Sequence, residues 1–564
     1  MLMEIRDTHM ASREFGLLKN ALFYGVRSVE PQNRVNTVES IKATFIDWAK
    51  NLQDGENRKT LELHLLIILR MSINCPYANV RHNFKELLRD LESQNVSIPS
   101  PIYPYPSFYI PPEETFEWPD DSESSEPIGI VPDVDVQNLM IENFIDIGRL
   151  SNHFRVLFYF PAFAKSYMNS YKGLVRFHEG ALSIPETYYF GIMAASQHKC
   201  QYLVSHLTNE YLIAGGNPSW LDGLNFAPPK IKKIAKINSI LAHQPWCLEA
   251  EHIHELCRGD ESWQIQQVIH IIIIICIFHS SSSYLLGCGI VPEYDSVGGY
   301  RRPSVWTLPS LDPENATNAN GSDSPGDPGD DILVDEENKN ELETEEIPDE
   351  EIPGDPGDNE NHDIPVDEEN NNKLETEEIP GEEIPFDVLI NDFSHYLDPA
   401  VEVSSSKFVL KKNEHRHGYK YHRSQDFSWW EHGVSLINFH FNDNLNLGNI
   451  LNEEFREIRK MTEDEYEHGL VNEAIRYYVL RLYGIQKDDF IYHKISEHLD
   501  NETRVFIKKV CCKPEDITLG DWNSMRSQRN AKEVCSIILI SSETRKLAAL
   551  VYGLRSVNNW IRMN

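Results

Sequence analysis

The chain has 564 residues, 41% hydrophobic and 10% aromatic, enough to fill cores in two to four domains. Its formal charge is −36, but residues 311–385 hold 28 acids against two lysines, a local −26 that leaves −10 for everything else. No run of Lys or Arg interleaved with aromatics supplies a phosphate-binding stripe, so nucleic acid is not an expected partner.

The N-terminal sequence MLMEIRDTHMASREFG carries acids and no apolar stretch, so no secretory signal is expected. Residues 1–100 read as a helical extension, with apolar periodicity in LELHLLIILRM (61–71) and FKELLRDLES (84–93). Residues 101–135 replace periodicity with proline, serine and acid, the signature of a linker, since each proline pushes its predecessor out of the α region. A helical body follows over 136–310, with periodic segments at 137–150, 155–177, 188–214, 229–242 and 262–285. Within it, VIHIIIIICIFH (268–279) is too short to cross a bilayer and is expected to be a buried core helix, not a membrane span.

Residues 311–385 contain a tandem repeat of period 32, ILVDEENKNELETEEIP (332–348) recurring as IPVDEENNNKLETEEIP (364–380). Each unit has few apolar residues and strong like-charge repulsion, so disorder is expected rather than a solenoid. Residues 386–564 return to helix, and Leu470, Val471, Ala474, Ile475, Tyr478, Val479 and Leu482 fall on one apolar stripe. The expected fold is all-α, two helical bodies joined by a long disordered acidic linker. The nine cysteines show no CxxC pair, which fits a reducing, cytoplasmic setting rather than a disulfide scaffold. EHRHGYKYH (414–422) lacks a carboxylate or thiolate at ligand spacing, so no metal or cofactor is expected, and the GCG at 287–289 reads as tight packing rather than a nucleotide loop.

The candidate chemistry lies in YYFGIMAASQHKCQYLVSH (188–206), read as one helix. Cys200 is there either a redox nucleophile, a buried structural thiol, or a remnant of weak reactivity. His206, at i+6, stands about 120° round the helix from Cys200, while it shares a face with Tyr202 at i+4.

This stretch, with AGGNPSWLDGL (214–224), INSILAHQPW (237–246), GCGIVPE (287–293), DFSWWEHGVSLIN (426–438), YGIQKDDFIY (483–492), VFIKKVCCKPEDIT (505–518) and ALVYGLRSV (549–557), resembles the sestrin family. The motifs are co-linear over roughly 140–295 and 426–558, and leave the first hundred residues and the acidic repeat unmatched. The resemblance implies stress-induced cytosolic proteins built from two alkylhydroperoxidase D-like helical halves. For the N-terminal half it implies a cysteine-dependent alkylhydroperoxide reductase with Cys200 and Tyr202 in catalytic positions. The family histidine would fall at Leu207, however, and His206 comes one residue early.

For the C-terminal half the resemblance implies leucine binding and contact with the GATOR complex, which restrains TOR complex 1. Glu533 falls on the ammonium-binding glutamate. The carboxylate-binding arginine is replaced by Asn472, with Arg476 a turn further on. The lid threonines are replaced by Arg456, Arg459 and His468, and the pocket-floor tryptophan by Arg526. Asp488 and Asp489 match an acidic pair implicated in GATOR binding. The expected function is therefore a regulator that binds the GATOR complex, with leucine sensing weakened or lost and another free amino acid left open as a ligand. The alternative is an antioxidant enzyme using Cys200.

Overall fold

A computed structural model of the chain describes residues 22–118, 128–176, 181–296, 299–301, 393–399, 422–423, 426–441, 446–462, 467–487 and 490–564. The acidic repeat, nearly all of EHRHGYKYH, and Asp488 and Asp489 lie outside them. Among the described residues the protein is all-α as expected, with strand confined to four two-residue segments paired two by two.

Helices α1 (Pro31–Lys50), α2 (Gly55–Asn74) and α3 (Ala78–Ser93) form an N-terminal layer. Val38, Ile41 and Phe45 on α1 and Phe84, Leu87 and Leu91 on α3 recur at i, i+3 and i+7, so each helix turns one stripe into a common core. The layer attaches to α4 (Val134–Ile147) by Tyr77, packed edge-on against Phe144 at 5.9 Å, and by Arg27 Nε, which donates to the Ile145 carbonyl at 2.7 Å.

The proline-rich stretch expected to be a linker is, over residues 100–118, a bound strap. Proline prevents the segment from satisfying its backbone groups in a helix of its own. It bonds instead to other elements: the Phe108 amide donates to the Gly289 carbonyl, the Val291 amide to the Pro106 carbonyl, and the Tyr109 hydroxyl to the Ile517 carbonyl at 2.9 Å.

The remaining helices are α5 (Asn152–Leu157), α6 (Pro161–Tyr171), α7 (Ile184–Gln197), α8 (Gln201–Ile213), α9 (Pro229–Lys232), α10 (Ile234–His243), α11 (Ala250–Cys257) and α12 (Ile265–Gly287). After the acidic segment come α13 (Val434–His440), α14 (Leu447–Thr462), α15 (Glu467–Leu482), α16 (Lys494–His498), α17 (Asn501–Cys512), α18 (Leu519–Arg526) and α19 (Ala531–Met563). Helix α12 extends the apolar run to 23 residues, long and apolar enough to cross a membrane and so longer than the sequence reading allowed, but it is buried continuously from Val268 to Leu285, as expected of a core helix. Its principal partner is α19, and the helices approach closely because Gly287 faces Ile538 and Gly553 faces Ile272. A Cβ on either glycine would lie 2.8 or 2.6 Å from an isoleucine methyl. The helices on both sides of the acidic segment thus share one hydrophobic core.

Two buried cations from adjacent positions of α19 cross this core. Lys546 ion-pairs with Glu454 of α14 and, at 2.5 Å, with Glu543; all three are buried. Burial, only partly opposed by Lys546, pushes the Glu543 carboxyl up to about 7. Arg545 has no carboxylate within ion-pair distance among the described residues. Its guanidinium donates to the carbonyls of His279 and Ala242, to the Ser283 hydroxyl and to His198 Nε2 at 2.8 Å, and it reaches Tyr483. Accepting through Nε2 leaves His198 protonated on Nδ1 and therefore neutral. Rings of His243 and His279 pack on His198 with centroids 5.7 and 5.1 Å away. Burial, together with the Arg545 charge, lowers His243 to about 4 and His198 and His279 well below the usual range.

Arg545→Lys retains the charge but supplies one ammonium where a planar fork now meets several fixed acceptors, so unfolding free energy from urea titration should fall by roughly 3 kcal/mol or more. The histidines have lowered folded pKa values, so their contribution is complete above the unfolded value near 6.5 and is lost as pH falls. Glu543, raised to about 7, works the other way between its unfolded value and 7. Glu515, also raised by burial, acts with Glu543, whereas His153, lowered to about 3, and His206, His252 and His440 act with the three histidines, so among the described residues seven imidazoles oppose two carboxyls. The urea midpoint is expected to fall steadily from pH 6.5 to pH 5, and the loss should shrink in His243→Gln.

Candidate functional site

The 188–206 segment is not one helix. Helix α7 starts from a reciprocal capping box between Ser183 and Glu186 and ends at His198; Lys199 adopts a left-handed backbone (φ 50°), and Cys200 is the N-cap of α8. The turn closes by the Cys200 amide donating to the Ala195 carbonyl at 3.1 Å. A helix N-terminus ordinarily favours a thiolate. Here the thiol is fully buried, and burial pushes it up to about 11, only partly opposed by the Leu203 amide and the Ser282 hydroxyl that face it.

Tyr202 and His206 do share a face, as their spacing predicts, and they line a cavity of about 80 Å3 together with Arg149, His153, Tyr167 and Glu210. Cys200 is not among the lining residues. Leu207, where the resemblance implies a histidine, is fully buried in the core. The structure therefore separates the sulfur from the imidazole, because the N-cap of α8 points into the α12 side while the Tyr202–His206 face looks towards α4 and α6.

Tyr202 is also committed. Its hydroxyl donates to Glu293 Oε1 at 2.6 Å, and burial together with that carboxylate raises its phenol well above the usual range. Glu293 also accepts the Asn152 amide at 2.7 Å and faces Arg149, whose guanidinium donates to Asp295 at 3.0 Å. Asp295 in turn pairs with Arg70 of α2 at 3.1 Å. This chain of charges was not legible in the sequence: Glu293 stands in GCGIVPE, but nothing in its spacing points to a tyrosine 91 residues earlier. Among the described residues the rings of His153 and His206 have no side-chain hydrogen bond, and burial lowers both, His153 to about 3. The cavity presents neutral imidazoles and a phenol already donated to a carboxylate, without a thiol.

In the C-terminal half, Glu533 is the N3 residue of the α19 capping box: its carboxylate accepts the Asn530 amide at 2.8 Å, and its own amide donates to Asn530 Oδ1. Arg526 is turned to the strap, pairing with Glu114 at 2.6 Å, while the second oxygen of Glu114 accepts the Ala531 amide at 2.7 Å. Arg456 and Arg459 are exposed on α14, Arg456 pairing with Glu453 at 2.7 Å. Asn472 Nδ2 donates to the Met461 carbonyl, and Arg476 is buried beside Tyr477. Nothing here brings Glu533 together with Asn472 or Arg476. Beside Asp488 and Asp489, the Lys487 amide donates to the Tyr492 hydroxyl at 2.9 Å and Phe490 stacks on Tyr477 at 3.7 Å, anchoring both flanks.

Residues 128–561 match the family model described as PA26 p53-induced protein (sestrin). Sestrin-1 of Macaca fascicularis is 31% identical over 488 residues, 83% of this chain and 93% of that protein. Sestrin-2 of Homo sapiens is 29% identical over 481 residues, covering 81% and 91%. The Sestrin homolog of Dictyostelium discoideum is 28% identical over 573 residues, covering 94% and 90%. That last alignment is wider than the motifs suggest, reaching beyond the stretches from which the resemblance was read.

In native protein near pH 7.5, iodoacetamide followed by peptide mass mapping should modify the exposed Cys247 at least about 100-fold faster than Cys200, since only thiolate reacts. Comparable rates at the two cysteines would contradict the buried-thiol description.

Proposed function

Since the chain belongs to the sestrin family, and is thus a sestrin-type stress-response protein, we propose that it acts as a non-catalytic regulator: it binds the GATOR complex, restrains TOR complex 1 in the cytoplasm and secondarily the nucleus, and responds weakly or not at all to leucine. The sequence retains the acidic pair Asp488 and Asp489, and the observation that supports docking is the anchoring of both flanks by Tyr492 and Tyr477. Flanking residues that are already packed need little further ordering on binding.

The loss of leucine response is supported by the α19 N-terminus. A free amino acid needs an anion for its ammonium and a cation or amides for its carboxylate. Glu533 is occupied in its capping box, and the Arg526 guanidinium and Ala531 amide are occupied by Glu114. A ligand would have to displace a charge-assisted pair that is already in place, which costs it affinity. The alternative, hydroperoxide reduction at Cys200, lacks support from the site, where the thiol is raised to about 11 and no acid or base from the cavity reaches it.

Affinity capture with purified GATOR complex tests the proposal. Asp488→Ala/Asp489→Ala should lower capture at least about tenfold, the effect of losing about 1.4 kcal/mol. Cys200→Ser should leave it unchanged, and millimolar leucine should not release the bound chain. Release by leucine, or capture indifferent to the double substitution, would overturn the reading.

A further inference from the structure

Cys288 and Cys535 stand 247 residues apart in sequence, on opposite sides of the acidic segment, yet their sulfur atoms lie 3.8 Å from each other. Cys288 is the C-cap of α12, and Cys535 lies in the second turn of α19. Both are fully buried. The Tyr284 hydroxyl, 3% exposed and without an oxygen or nitrogen partner, sits beside the Cys288 sulfur. Among the described residues the Cys288 sulfur is thus the one group that faces this buried hydroxyl, which ties the phenol to the cysteine pair.

We propose that Cys288 and Cys535 are a dithiol modification site, oxidised by a hydroperoxide to an intramolecular disulfide that joins α12 to α19. One sulfur loses its proton and attacks the terminal peroxide oxygen; a sulfur–oxygen bond forms, the oxygen–oxygen bond breaks, and the alkoxide takes up the proton and leaves as an alcohol. The second thiol then attacks the sulfenic sulfur; the disulfide bond forms, the sulfur–oxygen bond breaks, and hydroxide leaves as water with the second thiol's proton. Two thiols lose two electrons, and the peroxide gains them. Tyr284 is placed to donate a hydrogen bond to the thiolate of the first step.

Burial selects the oxidant class. Exchange with a bulky, charged disulfide such as oxidised glutathione requires the attacked sulfurs to align in the open, whereas a small uncharged peroxide can enter an apolar site during local opening. The cover that must open is the strap, whose Ser107 hydroxyl donates to the Cys288 carbonyl at 2.6 Å and whose Phe108 amide donates to the Gly289 carbonyl. Burial raises the Cys535 thiol well above its usual range, so the reaction is slow in the closed protein. The sulfurs must close from 3.8 Å to the roughly 2.05 Å of a disulfide, and Cys288 is placed to move because it lies at a helix end followed by Gly289 in the left-handed region (φ 59°).

The test treats the folded full-length chain with hydrogen peroxide at neutral pH, blocks remaining thiols, and maps peptides without reduction. The expected product is a Cys288–Cys535 crosslinked peptide in the wild type and in Cys200→Ser, absent from Cys288→Ser and Cys535→Ser, and reversed by dithiothreitol. Closure of so long a loop should also speed migration on a non-reducing gel. Oxidised glutathione at equal concentration should give at least about tenfold less crosslink. The proposal is overturned if Cys288 and Cys535 both remain alkylatable in protein of unchanged circular dichroism whose exposed Cys247 is fully oxidised. It is overturned equally if oxidised glutathione forms the crosslink as fast as peroxide does.

Discussion

A single buried guanidinium organises the part of this protein where chemistry would be looked for. Arg545 carries a full charge in the core with no carboxylate among its described partners, so it is tolerable only while every N–H has an acceptor. Those acceptors come from α10, α12 and the Tyr483 corner, and from the turn between α7 and α8. The last contact has the widest consequence. By taking His198 Nε2, Arg545 braces the end of α7 next to Lys199, whose left-handed backbone by itself costs of order 1–3 kcal/mol. The helix break, closed locally by the Cys200 amide on the Ala195 carbonyl, is thus braced from 347 residues away.

On the other side of α8 a second polar system sets the opposite face. Glu293 draws in the Tyr202 hydroxyl, Arg149 balances Glu293 and Asp295, and Arg70 extends the chain into the N-terminal layer. The two systems pull on residues only two positions apart, Cys200 and Tyr202, in different directions. A cysteine, a tyrosine and a histidine that look assembled in the sequence are therefore divided, with the thiol in an apolar wall and the phenol and imidazole on a cavity. The same division leaves the thiol without an acid or base, which is why a regulatory role fits this arrangement better than turnover.

Much of the fold was legible because apolar periodicity reports burial directly. The α12 core helix, the helices α2 and α3 around 61–71 and 84–93, and the 470–482 stripe of α15 all follow from spacing alone. The break at Lys199 was not legible, since 188–214 contains no proline and its one glycine, Gly191, lies inside α7; what braces it is a distant arginine, not a local breaker. Prolines in 100–118 correctly excluded helix, but composition cannot distinguish a free tether from a strap bound to its own chain. The site was legible at the level of which residues face together, Tyr202 with His206, and illegible at the level of what holds them, since Glu293, Arg149 and Arg70 are charges whose partners lie far off in sequence.

The strap also changes what the C-terminal half can do. Glu114 places one carboxylate oxygen on Arg526 and the other on the Ala531 amide at the start of α19, where a helix dipole favours an anion. Arg526 thus comes with an internal counter-charge from a segment the sequence seemed to use only as a connection. Replacing Arg526 would therefore do more than reshape a pocket, because it would leave a carboxylate on a helix N-terminus with half its partners removed and loosen the segment that lies over Cys288 and Gly289. The α19 N-terminus, the strap and the buried cysteine pair are in this sense parts of one mechanical unit, whose common element is α19 and whose anchor in the core is Arg545.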